Sequence, residues 1–275
     1  MKLRTAAVPL ALSFLAASCA TTLAPRADVA EVIEAERAFA RLADEIGVRP
    51  AFTANFADDA VWMLPAPTSL AAAYAARPAP ADPRALRLEW SPAIAGIAAS
   101  GDLGFTSGPS RASLRDGSRP PAHGIYFSMW KRLPEGHWRV ALDVGVQQPN
   151  EVGAAMLAPS PPMFAAPAAR AAGNDAPHET ERGASWDGSR LRALLADDAR
   201  LIRTDTPATR GRLAVAEALG AQSIVLKPLG GAVARSADLA YSYGEYEAAP
   251  AHGYYVHVWT RDAQGDWRLA IVVRP

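Results

Sequence analysis

Pro121-Ala122-His123-Gly124-Ile125-Tyr126-Phe127-Ser128-Met129-Trp130 opens a segment that turns at Pro134-Glu135-Gly136 and resumes at Trp138-Arg139. Pro250-Ala251-His252-Gly253-Tyr254-Tyr255-Val256-His257-Val258-Trp259 opens a second, turning at Ala263-Gln264-Gly265 and resuming at Trp267-Arg268. The Gly, Tyr, both Trp and the turn Gly keep one spacing in the two copies. Upstream, Gly101-Asp102-Leu103-Gly104-Phe105 answers Ala237-Asp238-Leu239-Ala240-Tyr241, and Phe56-Ala57-Asp58-Asp59-Ala60 answers Leu195-Ala196-Asp197-Asp198-Ala199. Solenoid repeats run to roughly 20–50 residues. This unit is longer, so a whole domain occurs twice.

A chain of 275 residues has room for two domains, and its 50% apolar content lets each bury a core. The net charge of zero removes the electrostatic case for nucleic acid or an anionic membrane surface as partner. At the start, Lys2 and Arg4 precede a short apolar run from Ala6 to Ala17, the pattern of an export signal. Leu15-Ala16-Ala17-Ser18-Cys19 resembles a bacterial lipobox, with Cys19, the only cysteine, as the acylated residue. These features predict a lipid-anchored protein of the cell envelope, on the periplasmic side of the outer membrane if the host is Gram-negative. The expected layout is a signal peptide over 1–19, a tether over 20–26, domain 1 over 27–150, an Ala/Pro-rich linker over 151–177 and domain 2 over 178–275.

Asp28 reads as the N-cap of an amphipathic helix carrying Val29, Val32, Ile33, Phe39 and Leu42 on its apolar side. A short second helix follows Pro50, then a strand at Val61–Leu64 and a third helix over Ser69–Ala76. Strands are predicted near Leu86–Trp90, Ile94–Ala98, Gly104–Ser107, Gly124–Arg132 and Trp138–Val144, the last two forming a hairpin. Domain 2 repeats the order, with strands at Arg200–Arg203, Ser223–Lys227, Ala240–Tyr246, Gly253–Arg261 and Trp267–Val273. Its opening helix coincides with Gly173, Asn174, Asp175 and Pro177, poor helix formers, so that helix should be short or broken and the interior more open.

Helices followed by antiparallel strands predict an α+β fold. The order of elements, Phe56-Ala57-Asp58-Asp59-Ala60, and the run from Tyr126 to Arg132 with Gly136 and Trp138 resemble the nuclear-transport-factor-2-like superfamily, nearest its DUF4440/SnoaL-like bacterial branch. The resemblance implies two tandem cones, each a curved antiparallel sheet packed on N-terminal helices around a cavity. It says little about activity, because that superfamily holds isomerases, dehydratases, cyclases, hydrolases and non-enzymes.

Strand alternation puts Tyr126, Ser128 and Trp130 on one face and Ile125, Phe127 and Met129 on the other. In domain 2 the sets are Tyr255, His257 and Trp259 against Tyr254, Val256 and Val258. The resemblance makes the Trp-bearing set the cavity face, so the candidate ligand-binding residues are Tyr126, Ser128, Trp130, Tyr255, His257 and Trp259. The neighbouring strands are expected to add Phe105 and Ser107 to domain 1, and Tyr241, Tyr243 and Glu245 to domain 2. Packing between the two domains, or between chains, would cover the apolar faces. His257, Tyr243 and Glu245 are the candidate catalytic residues, an imidazole near a carboxylate being a common acid–base pair. Asp58-Asp59 and Asp197-Asp198 read as structural. The five His lack ligand spacing, so neither a metal nor a cofactor is expected. In ketosteroid isomerases, the segment similar to Ala57–Pro65 carries an Asp base where this chain has Leu64, and Arg203 in domain 2. Neither residue can abstract a carbon-bound proton.

Three functions remain open on these residues. The first is a non-catalytic envelope protein binding a small, partly apolar molecule, with domain 2 favoured as its site. The second is a SnoaL-like enzyme using domain 2, and the third is a scaffold with filled cores.

Overall fold

A computed structural model of the chain describes residues 27–153, 177–183 and 185–275. The leader with Cys19, the tether and most of the Ala/Pro-rich linker lie outside the described residues.

Helix α1 (Val29–Ile46) starts where Asp28 accepts a hydrogen bond from the Ala30 amide, and stops at Gly47, whose φ of 96° breaks the helix. It buries the stripe Val32, Glu36, Phe39 and Ala43. Helix α2 (Val48–Asn55) follows directly. The Asp58-Asp59 pair lies inside strand β1 (Phe56–Met63), which begins earlier than the bulky residues suggested. Strand β2 (Pro67–Ser69) leads into α3 (Leu70–Ala75), capped by the Ser69 hydroxyl. The remaining strands are β3 (Leu86–Trp90), β4 (Ile94–Ile97), β5 (Leu103–Leu114), β6 (Ala122–Arg132) and β7 (Trp138–Gln148). They form one curved sheet in the order β2-β1-β7-β6-β5-β3, with β4 also on β5. All its pairings are antiparallel except β1 with β7.

The second unit runs α4 (Pro177–Glu181), β8 (Ser185–Trp186), α5 (Gly188–Leu194), β9 (Leu195–Arg203), β10 (Thr206–Arg210), α6 (Arg212–Leu219), β11 (Ile224–Val233), β12 (Leu239–Ala248), β13 (Ala251–Arg261) and β14 (Trp267–Arg274). The sheet order is β10-β9-β14-β13-β12-β11-β8, again with one parallel pair, β9 with β14. Matched side chains make matched contacts. Arg132 stacks on Trp138 at 4.8 Å, and Arg261 on Trp267 at 4.2 Å. Trp130 and Trp259 each donate an indole N–H at 3.2 Å, to Thr106 and Ser242 respectively. The chain therefore folds as two tandem α+β cones, as its repeat implied.

The cones pack sheet to sheet. Ile125, Phe127 and Met129 join Val256, Val258, Ile271 and Tyr241 in a single core, so the interior of this chain, rather than a second copy, covers both apolar faces. The packing is reciprocal, as in a two-fold dimer. The Ser100 amide donates to the Ser236 hydroxyl at 3.1 Å, and the Ser236 amide to the Ser100 hydroxyl at 3.1 Å. The Ala99 amide donates to Asp238, and the Arg235 amide to Asp102.

Candidate functional site

The concave face of the first sheet carries a row of paired side chains across four strands. Trp62 on β1 lies beside Asp143 on β7, Asp143 beside Ser128 on β6, and Ser128 beside Thr106 on β5. Above this row, α1 lowers Glu36, which is fully buried. Trp130 donates to its carboxylate at 2.9 Å, and the Trp90 indole and Thr106 hydroxyl also donate to it. Burial pushes the Glu36 carboxyl up, against the pull of these donors.

Asp143 is held differently. Ser128 is its one side-chain donor, at 2.8 Å. Burial, aided by the charge of Glu36, pushes its carboxyl up to about 7. Two phenols act beside it. Tyr126, only 7% exposed, feels the charges of both Glu36 and Asp143. Its hydroxyl lies near Thr106, which is committed to Glu36, and makes no hydrogen bond of its own. The buried Tyr74 hydroxyl on α3 also lacks a partner. Burial and the Asp143 charge push it up to about 12. Beside Tyr126 in register is Gly145, exposed, where an added Cβ would meet no atom within 4 Å. The concave face therefore opens next to Tyr126, one turn of strand alternation beyond Asp143.

Domain 2 uses the same plan to a different end. Its row reads Leu201, Val272, His257 and Ser242, with an aliphatic residue where domain 1 has Asp143. Glu181 on the short α4 takes the place of Glu36. It accepts from Ser242 at 2.8 Å and Tyr255 at 2.9 Å, and it contacts His257 Nδ1 at 2.7 Å. Trp186 stacks over His257 at 5.9 Å. Where domain 1 has Gly145, the repeat places Arg274, mostly buried and stacked on Tyr246 at 4.6 Å. The opening helix is short, as expected, but the interior is closed rather than more open, because Trp186 and Arg274 fill it.

The structure thus brings Tyr126, Ser128 and Trp130 together in domain 1, and Tyr255, His257 and Trp259 in domain 2, on the expected faces. Tyr241 and Tyr243 need correction. Tyr241 belongs to the core between the cones and Tyr243 packs against it, so neither faces His257. Phe105 lies in the same core, and Ser107 bonds the Tyr126 carbonyl at 2.5 Å. A one-residue error of parity on β5 and β12 accounts for all four, since side chains alternate faces. Glu245 is on the surface, paired with Lys227 at 2.9 Å, so the trio His257, Tyr243 and Glu245 is not assembled. The imidazole's carboxylate is Glu181.

The sequence reading missed Glu36, Asp143, Glu181, Tyr74 and Trp62. Two of these had a visible signal. Glu36 falls on the apolar stripe of α1, and Asp143 interrupts the apolar run Val140-Ala141-Leu142-Asp143-Val144. A charge at a core position is a functional hint even before a partner is known.

No protein-family model matches the chain, and no curated protein matches it. Solved structures do. A ketosteroid isomerase-like protein from Erwinia carotovora atroseptica is 18% identical, with a TM-score of 0.35 over 43% of this chain and 95% of that one. An NTF-2 like protein of unknown function from Shewanella oneidensis is 10% identical, with a TM-score of 0.34 over 42% and 96%. A protein of unknown function with a cystatin-like fold from Nostoc punctiforme is 16% identical, with a TM-score of 0.34 over 44% and 92%.

Proposed function

We propose that this chain is an exported lipoprotein, anchored to the cell envelope through Cys19, that binds a small, partly apolar molecule inside domain 1. The observation that carries the binding reading is the contrast between the interiors. Domain 1 leaves the Tyr126 and Tyr74 hydroxyls unpartnered beside a thinly bonded Asp143, next to open space at Gly145. In domain 2 Val272 replaces Asp143, Glu181 in the place of Glu36 is fully engaged, and Arg274 stands where domain 1 has Gly145. The donors left unpartnered there are the Trp186 indole and the Arg274 Nε rather than groups beside a free carboxyl. Buried polar groups without partners cost stability, and a ligand with a polar end and an apolar body would satisfy them while resting on Trp62 and Trp90. Domain 2 then serves as the pseudo-subunit that covers the sheet of domain 1.

Gly145→Leu tests the site. A Cβ there meets no atom within 4 Å, and Gly145 is exposed and does not have a positive φ, so stability should change by no more than about 0.5 kcal/mol. Native mass spectrometry of protein extracted from its host should show a small molecule with the wild type and not with Gly145→Leu. Retention of that molecule by Gly145→Leu would move the site elsewhere. The anchor has its own test: Cys19→Ser should leave the membrane fraction, and unaltered processing and membrane retention would refute it. Among the described residues no helix is long and apolar enough to cross a bilayer.

A second reading, acid–base catalysis, draws support from Asp143, whose carboxyl sits near neutrality where a proton can be both taken and returned. Turnover of the co-purifying molecule, lost in Asp143→Asn, would favour it over simple binding.

A further inference from the structure

The interior of domain 1 holds two carboxyl groups and, among the described residues, no cation paired with either. None of the interactions that act on Glu36 or Asp143 comes from a Lys or Arg. Arg49 on α2 stands at the rim of this site, where its charge acts on the Tyr74 phenol and on neither carboxyl. It donates to the Tyr74 and Arg77 carbonyls and lies on the Tyr74 ring at 4.4 Å. Lys131 points away, paired with Asp59. Buried carboxylates are ordinarily matched by a positive group, because leaving them unmatched is costly. The lining is otherwise aromatic: Trp62 and Tyr74 meet edge to face at 5.8 Å, and Trp90 and Tyr126 at 6.4 Å. The nine-tenths-buried Tyr126 adds an unpartnered hydroxyl.

Resting on the binding reading above, we propose that the molecule taken up by domain 1 is a small organic cation, its ammonium group seated against Asp143 and its apolar body against Trp62 and Trp90. Each alternative meets an obstacle in the lining of the site. An anion would face two carboxyls. A calcium or magnesium ion needs six or more oxygen ligands, whereas both Glu36 oxygens are covered by indole and hydroxyl donors. Among the described residues no group of three His, Cys, Asp or Glu side chains could hold any metal ion. A neutral molecule could bond the phenols, but above about pH 7, where Asp143 ionises, it would leave that charge unanswered. An ammonium group answers that charge, accepts the geometry of a single carboxylate oxygen, and gains from aromatic faces.

The cation must bind the ionised form of Asp143, so it competes with a proton. The groups facing Asp143 are Glu36 from α1, Tyr74 from α3, and Ser128 and Tyr126 from β6, with Trp62 alongside on β1. Of these, Glu36 is the charge that shifts Asp143, and it raises its affinity for the proton. Binding of a cation should therefore strengthen as pH rises through about 7 and weaken by about tenfold for each pH unit below it.

Three probes of one skeleton separate the possibilities: phenethylammonium, 2-phenylethanol and phenylacetate, titrated calorimetrically into the mature full chain. Above pH 7 the ammonium should bind at least about tenfold more tightly than the alcohol, with phenylacetate weakest. Only the ammonium should show the pH dependence, and Asp143→Asn should erase its advantage. If the alcohol binds as well as the ammonium and both are blocked by Gly145→Leu, the site stands and the cation assignment fails. If the ammonium does not bind at millimolar concentration, or its advantage survives in Asp143→Asn, the assignment is also overturned. Should Asp143→Asn not fold, the pH profile of the wild type decides by itself. A molecule absent from the native protein as well would sink the binding reading along with it.

Discussion

Phe127→Ala is expected to destabilise both cones at once, by about 3–5 kcal/mol. Phe127 is fully buried and stacked on Phe105 at 6.1 Å, in the core that the two sheets share. Removing the ring leaves a cavity bounded on one side by β5 and β7 and on the other by the second sheet, which neither cone can close alone. Because the sheets lean on each other, the loss should reach residues far from position 127 in sequence. Hydrogen exchange makes this visible: amides of β13 should lose protection together with those of β6. Unchanged protection in β13 would mean that the cones are stabilised independently, and the reciprocal packing would then be an incidental contact.

Glu181→Ala should cost a similar amount, about 3–5 kcal/mol, without affecting the binding proposed for domain 1. One carboxylate at full burial gathers Ser242, Tyr255 and His257. Deleting it leaves Tyr255 and His257 without their carboxylate in a closed interior, leaves Ser242 with only the Trp259 indole, and unfastens α4 from the sheet. Glu181→Gln keeps an acceptor oxygen and the shape, so it should recover part of the loss. Chemical denaturation measures the stability, and native mass spectrometry the bound molecule. A variant that stays stable yet loses its ligand would make the Glu181–His257 pair a working site instead of a structural one.

Asp143 in domain 1 and Glu181 in domain 2 show why polarity counted along the strands is a poor guide to which interior has bonding capacity to spare. Counting polar residues on the strands of domain 2 gave Tyr241, Tyr243, Tyr255 and His257, against hydroxyls and rings in domain 1. The count ignored two things that decide whether a polar group is available: which face it occupies, and whether something already bonds it. Tyr241 and Tyr243 occupy the face between the cones. His257 and Tyr255 are taken by Glu181. Domain 1 has fewer polar residues on its candidate strand, but Tyr126 and Asp143 there retain unused capacity.

Local pattern by itself determined a great deal. The matched Gly, Tyr and Trp spacing established the duplication, and with it two α+β units of the same element order. Alternation along β6 and β13 sorted Tyr126, Ser128 and Trp130, and Tyr255, His257 and Trp259, from their apolar neighbours, because strand parity depends only on consecutive residues. Asp28 marked a helix start through chemistry confined to a single turn. What the sequence could not supply were pairings between residues far apart in the chain. Glu36 meets Trp130 across 94 residues, and Glu181 meets His257 across 76. Parity on β5 and β12 was missed because no Gly-Tyr-Trp marker fixes it there. The open edge at Gly145 and the plugged one at Arg274 depend on what stands over each strand end. Burial and charge at Asp143 come from the same source: a carboxylate is ordinary until the fold encloses it with Glu36 nearby and, among the described residues, no Lys or Arg acting on it.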